Sequence, residues 1–121
     1  AEDNQVNQIV LTKLLTKLGY DEVDIVASGR QALEAVSNNI YDVVLMDQHM
    51  PEMDGLDATI KIREFLSSNK LKIIAVTASI FEDDRKRCLM VGMDDFVEKP
   101  IDIKKLAKAL KSCKKEDKKV A

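Results

Sequence analysis

The stretch Val43-Val44-Leu45-Met46-Asp47-Gln48-His49-Met50-Pro51-Glu52-Met53-Asp54-Gly55 constrains this chain more than any other. Four consecutive apolar residues suit a strand buried on both faces. The run stops at Asp47. Open α/β sheets place their ligands just beyond the carboxyl ends of their strands, which is where this aspartate falls. Pro51 and the Asp54-Gly55 pair then mark a tight loop before a helical segment. The expectation is an Asp47 presented at the lip of a rigid element, not buried in it. Taken alone, the residue has a plainer explanation: it ends the strand or caps the next segment.

Helical and strand patterns alternate along the rest of the chain. Glu2-Asp3-Asn4 precedes a helix to about Leu18, with Val6, Ile9, Val10, Leu14 and Leu18 on one broad stripe. Asp3 or Asn4 caps it, and Gly19 ends it. Val23-Asp24-Ile25-Val26 reads as a short strand. Ser28 followed by Gln31 is a capping-box pattern opening a second helix to about Ser37, with Leu33 and Val36 inward. The central strand spans about 42–46. A third helix runs from Gly55 to about Leu66, with Leu56, Ile60, Ile62 and Phe65 as core contacts. Lys72-Ile73-Ile74-Ala75-Val76 is another buried strand, ending at Thr77. A fourth helix covers about 82–91 and stops at Gly92. Asp95-Phe96-Val97 is a short strand, and Asp102 caps a last helix to about Cys113. Such alternation predicts an α/β fold, a parallel sheet with helices on both faces and right-handed crossovers.

The chain has 121 residues, enough for one domain with a core that needs no disulfide. Nineteen basic and 21 acidic residues leave a net charge of −2, which offers no support for a nucleic-acid-binding surface. No apolar run approaches membrane-spanning length, and no signal peptide is visible. Cys88 and Cys113 lack metal-site spacing and fall in helical patterns, so both read as reduced thiols in a cytoplasmic setting.

The central stretch, together with Glu2-Asp3-Asn4, Val76-Thr77-Ala78, Phe96 and Lys99-Pro100, resembles the receiver (response-regulator) domain of two-component signalling. The pieces have the family's order, spacing and strand-or-loop context over about residues 2–113. The resemblance implies a flavodoxin-like, doubly wound sheet in the order 2-1-3-4-5, with a receiver domain over 1–113 and a charged tail over 114–121. It also exposes a gap. The family's apolar first strand precedes its acidic pair, whereas only Ala1 precedes Glu2 here. Truncation or editing, circular permutation through Lys118-Lys119-Val120-Ala121, or a strand donated by a second molecule would each account for it. The first ranks highest, because that tail is a poor apolar substitute.

The family pattern also implies a chemistry. Asp47 would accept a phosphoryl group from phosphohistidine. Mg2+ would be held by Asp3, Asp47, the backbone carbonyl of His49 and, through water, Glu2; such a hard cation suits oxygen ligands. The Thr77 hydroxyl and the Lys99 ammonium would meet the phosphoryl oxygens. Pro100 would follow a cis peptide that aims Lys99. His49 and Ser79 would line the rim and tune hydrolysis. Thr77 and Phe96 would carry the signal to the face of the fourth helix, fifth strand and fifth helix. Individually, Glu2-Asp3 reads as an ordinary acidic helix start, Thr77 as a good strand residue, Lys99 as a solvated lysine and Phe96 as a core aromatic.

The function expected is therefore a Mg2+-dependent phospho-accepting receiver in a phosphorelay, acting on itself rather than turning over an external metabolite. The Glu-Asp-Asn start and Met50-Pro51-Glu52-Met53-Asp54-Gly55-Leu56 most resemble receivers of hybrid histidine kinases. The natural partners would be a histidine kinase domain and a histidine phosphotransfer protein, with no direct nucleic-acid or membrane contact and a cytoplasmic location. A pseudo-receiver that only binds partners is one alternative. A dehalogenase-like phosphatase is another, although His49 stands where that chemistry needs a second aspartate.

Overall fold

The structure, a computed structural model, describes residues 1–20, 22–48, 50, 52–67, 70–77, 82–99 and 101–113, with the backbone alone for Glu82, Ser112 and Cys113. The elements run α1 (Gln5–Lys17), α2 (Gly29–Asn38), β1 (Val43–Asp47), α3 (Gly55–Arg63), β2 (Lys72–Thr77), α4 (Glu82–Met90), β3 (Asp95–Glu98) and α5 (Ile103–Cys113). The three strands are parallel, in the order β1-β2-β3. That order is the 3-4-5 part of the sheet expected from the sequence.

Strand alternation sorts the apolar side chains into two layers. Met46, Ile73 and Ala75 face α2, α3 and α4 through Ala32, Val36, Ala58, Ile62 and Cys88. Ile74 and Val97 face α1 and α5 through Leu11, Leu15, Leu106, Ala109 and Leu110. The sheet is covered on both sides, so its strands carry the continuous apolar runs seen in the sequence.

The local signals act as expected at several helix ends. Asn4, not Asp3, caps α1 by accepting from the Asn7 N–H at 3.1 Å. Ser28 accepts from Gln31 N–H at 3.1 Å, while the Gln31 side chain reaches back to Ala27 N–H at 2.8 Å. Asp102 accepts from Lys104 N–H at 2.7 Å at the start of α5.

Two helical faces differ from the sequence reading. In α1 the buried residues are Leu11 and Leu15, with Leu14 and Leu18 packed beside them; Val6, Ile9 and Val10 are exposed. The helix is apolar on two faces, and the one spaced 11-14-15-18 meets the sheet. In α3 the inward residues are Gly55, Ala58, Thr59 and Ile62, leaving Ile60 and Phe65 exposed. Ile60 and Ile62 are two positions apart on a helix and cannot face the same side.

The expected strand at 23–26 is not formed: residues 22–26 have no regular ladder. A strand exists by pairing, and the backbone bond that reaches this segment comes from Glu2. Ala1 lies beside β1. Its nitrogen donates to Leu45 C=O at 2.8 Å, and its carbonyl accepts from Asp47 N–H at 3.0 Å. Glu2 N–H then donates to Val26 C=O at 2.9 Å. Behind this short bridge lies a cavity of about 120 Å³, lined by Leu11, Leu15, Val26, Val36, Val43 and Leu45 among others.

At the opposite end of the sheet one cation ties three segments. Arg63, at the end of α3, donates to Gly92 C=O (2.8 Å), Leu71 C=O (2.7 Å), Leu66 C=O (3.2 Å) and Asp94 Oδ2 (2.7 Å). Asp94 Oδ2 also accepts from Ile73 N–H at 2.8 Å. Both side chains are largely buried, so removing one strands the other's charge. Arg63→Ala is expected to lower unfolding free energy by about 3 kcal/mol or more, read by urea denaturation. A loss under about 1 kcal/mol, the scale of an exposed pair, would refute this account.

Candidate functional site

The carboxyl end of β1 is where the chain's charges converge. Asp47 is the last residue of β1 and is 5% exposed, so it is more deeply set than the lip position read from the sequence. Two neighbours bury it: the Ala1 bridge on one side of β1, and Lys99, on the loop after β3, above it. Lys99 Nζ lies 3.1 Å from Asp47 Oδ2 and 3.3 Å from Glu2 Oε1. The Lys99 backbone N–H donates to Thr77 C=O at 2.8 Å, fastening this loop to the end of β2.

Glu2 is 2% exposed. Its Oε2 accepts from Asn4 N–H at 3.1 Å, and its backbone carbonyl accepts from the Gln8 amide. Its Oε1 is buried and makes no hydrogen bond among the described groups, although it stands within ion-pair distance of Lys99. Asp3 is exposed at the same mouth. One carboxylate oxygen from each of Glu2, Asp3 and Asp47 lies within 4.8 Å of the others.

Three carboxylates facing one ammonium leave the cluster under-neutralised. A hard divalent cation with oxygen ligands fits that charge and the buried Glu2 Oε1, whose contact in the structure is the 3.3 Å ion pair to Lys99. Burial by itself would lower the Lys99 pKa. The Asp47 hydrogen bond and charge, with the Glu2 charge behind them, outweigh it and hold the ammonium above its ordinary value of 10.5.

The end of β2 supplies the next group. Thr77 is 3% exposed, and its hydroxyl donates to Gln48 Oε1 at 2.9 Å. Gln48 is also 3% exposed. One strand over, the guanidinium of Arg85 (α4) sits 4.4 Å from the centroid of the Phe96 ring and pairs with Glu98 at 2.5 Å. Phe96 is half-buried against the core.

Of the residues singled out in the sequence, the structure brings Glu2, Asp3, Asp47 and Lys99 together at the mouth, and Thr77 ends the neighbouring strand with its hydroxyl on Gln48. Phe96 adjoins them one strand away. His49, Ser79 and Pro100 lie outside the described residues, as does the Cys113 thiol; Cys88 is buried and free. Gln48 and Arg85 were missed. The sequence did carry a signal for Gln48, a polar residue directly after a buried apolar run. Arg85 carried none, because nothing in a helical pattern says which aromatic an arginine will cover.

The family model for the response regulator receiver domain matches residues 1–111. The chain belongs to the receiver domain family. Among its relatives, hybrid signal transduction histidine kinase H of Dictyostelium discoideum is 43% identical over 114 residues, covering 92% of this chain and 8% of that protein. Kinase B of the same organism is 43% identical over 111 residues, covering 83% of this chain and 6% of that protein. The receiver therefore spans less than a tenth of these two relatives.

Solved receivers share its fold. One belongs to a sensor histidine kinase of Pseudomonas aeruginosa and has a magnesium ion coordinated in its active-site cleft. It is 40% identical, with a TM-score of 0.83 over 93% of this chain and 91% of that one. Another is the receiver domain of the Saccharomyces cerevisiae response regulator Ssk1, crystallised with the phosphotransfer protein Ypd1. It is 27% identical, with a TM-score of 0.80 over 89% of this chain and 81% of that one.

The Lys99 ion pairs have a pH signature. A raised pKa means that their contribution to stability is fully present below the ordinary lysine range and fades as pH climbs through the raised value. Replacing Asp47 by Asn removes the leading attraction, so the Lys99 pKa should drop in D47N, read by NMR titration of the ammonium group. An unchanged titration would show that Asp47 is not what holds Lys99.

Proposed function

We propose that this receiver takes a phosphoryl group from phosphohistidine onto Asp47. The observation that carries the reading is the buried Asp47 carboxylate, 3.1 Å from Lys99 and clustered with Glu2 and Asp3. An Asp47 carboxylate oxygen attacks phosphorus. The phosphorus–nitrogen bond breaks, and its electron pair stays on the departing imidazole. Carboxylates are weak nucleophiles at phosphorus, so positioning and charge neutralisation do the work. Lys99 stabilises the charge on the transferring group, and the Thr77 hydroxyl donates to one of its oxygens. Asp3, Asp47, the His49 carbonyl and, through water, Glu2 would hold Mg2+. Bound there, the ion supplies Lewis-acid neutralisation of the phosphoryl oxygens.

Once formed, the acyl phosphate biases two pre-existing conformations. Thr77 turns toward the new oxygens, and Phe96 turns into the space released. The face of α4, β3 and α5 reads out the change. His49 and Ser79, which the family pattern assigns to the rim, would set how fast water removes the group. The receiver spans 1–113, with 114–121 as a tail. It is a cytoplasmic module of a hybrid histidine kinase, serving a kinase domain and a histidine phosphotransfer protein. None of its described helices is long and apolar enough to cross a membrane. The exposed Val6, Ile9 and Val10 face of α1 starts beside Glu2-Asp3 and offers that phosphotransfer partner an apolar landing next to the mouth.

Intact-mass spectrometry with phosphoramidate should show one added phosphoryl group, absent without Mg2+ and absent in Asp47→Asn. A folded protein that takes no adduct would sink the reading. Val10→Glu should slow transfer from a phosphotransfer protein by about tenfold, on the order of 1.4 kcal/mol. Phosphorylation by phosphoramidate should be unaffected. Equal slowing with both donors would remove α1 as the landing.

A further inference from the structure

Gln48 is buried between two strand ends and held at three points. Its N–H donates to Val76 C=O at 3.3 Å, its C=O accepts from Gly55 N–H at 3.0 Å, and its Oε1 accepts from the Thr77 hydroxyl at 2.9 Å. The backbone here has no slack. A Cβ placed on Gly55 would come within 2.2 Å of the Asp47 carbonyl oxygen. The Gln48 amide is therefore delivered to Thr77 by a rigid junction of β1, β2 and α3, and not by a loose surface side chain.

A threonine hydroxyl has one proton to donate. In the resting protein that proton is committed to Gln48. If Thr77 is to donate to a phosphoryl oxygen on Asp47, it must first leave Gln48 Oε1, and both groups are almost fully buried. We propose that Gln48 is a positioning residue that competes with the phosphoryl group for the Thr77 hydroxyl, and so sets how readily this receiver stays phosphorylated. The proposal rests on the assignment of Asp47 and Thr77 above and adds to it a residue next to the acceptor that disfavours the phosphorylated state.

The energetic logic is differential. The Thr77–Gln48 hydrogen bond stabilises only the unphosphorylated state. In the phosphorylated state, Gln48 Oε1 loses this buried donor. Gln48→Met keeps the length and removes the acceptor. Gln48→Asn keeps an amide but draws its carbonyl back by one carbon, out of reach of Thr77. Both remove the bond in the resting state and cost the phosphorylated state little.

The test is the steady-state ratio of phosphorylated to unphosphorylated protein at limiting phosphoramidate and saturating Mg2+, by intact mass, on variants whose thermal melts show them folded. Both Gln48→Met and Gln48→Asn should raise the ratio by roughly 2- to 12-fold, the range one net hydrogen bond supports. In a Thr77→Val background neither should change it, because Gln48 acts only through that hydroxyl. A ratio that stays the same or falls in both variants overturns the proposal. So does an equal rise in the Thr77→Val background, which a merely structural role would give. A wild-type protein that takes no phosphoryl group fails the acceptor reading itself. One that is phosphorylated but indifferent to Gln48 fails only this inference.

Discussion

Lys99 binds the site together by standing between two buried carboxylates. Asp47 closes β1, Glu2 lies near the start of the chain, and Lys99 comes just after β3. Buried like charges repel strongly in a medium poorer in water than the surface, and a single ammonium within about 3 Å of both offsets much of that cost. The compensation draws residues 2, 47 and 99 to one point. With the Lys99 N–H bonded to Thr77 C=O, it also locks the loop after β3 onto β2. The mouth keeps its shape because this shared ammonium ties the three segments together.

The same chain contains a contrasting arrangement at the other end of the sheet. Arg63 directs its donors to three carbonyls and one carboxylate, and Asp94 also accepts a backbone N–H. There the charges balance one to one and the polar groups are met, which suits a structural clamp. At the mouth three carboxylates face one ammonium, and a buried Glu2 oxygen has no hydrogen bond among the described groups. Charge left uncompensated on a rigid frame is what distinguishes a site from a strut. It is also why a divalent cation suits this end and not the other; a phosphoryl group adds negative charge and needs that cation together with Lys99.

Between the mouth and the outer face the path is short. Thr77 ends β2, and β3 is its hydrogen-bonded neighbour, with Ala75 beside Phe96 and Thr77 beside Glu98. Arg85 covers the Phe96 ring and pairs with Glu98, so α4 is attached to β3 directly above the end of the ladder. From Thr77 to α4 there is thus one strand, a half-buried ring and an ion pair. Gln48, at the end of β1, accepts from the Thr77 hydroxyl. The threonine is thus poised between a partner that retains it and a ligand that would draw it away.

Much of this was legible in the chain before any fold was drawn. Local chemistry carried it where short-range rules suffice: Asn4, Ser28 and Asp102 as caps, the apolar runs at 43–46 and 72–76 as buried strands, Asp47 as the residue that ends one of them. The family pattern added Glu2, Asp3, Thr77, Phe96 and Lys99. Three kinds of fact came only from tertiary structure. Which apolar face of α1 meets the sheet depends on where the sheet lies, so Val6 and Ile9 could not be told from Leu11 and Leu15. Whether 23–26 forms a strand depends on a neighbour, and a backbone ladder needs two partners. The burial of Asp47 and the bond from Thr77 to Gln48 depend on segments about 30 to 50 residues apart in the chain. Periodicity and capping are properties of adjacent residues and can be read along the sequence. Pairing, burial and competition for a proton arise between distant residues, and only the folded chain decides them.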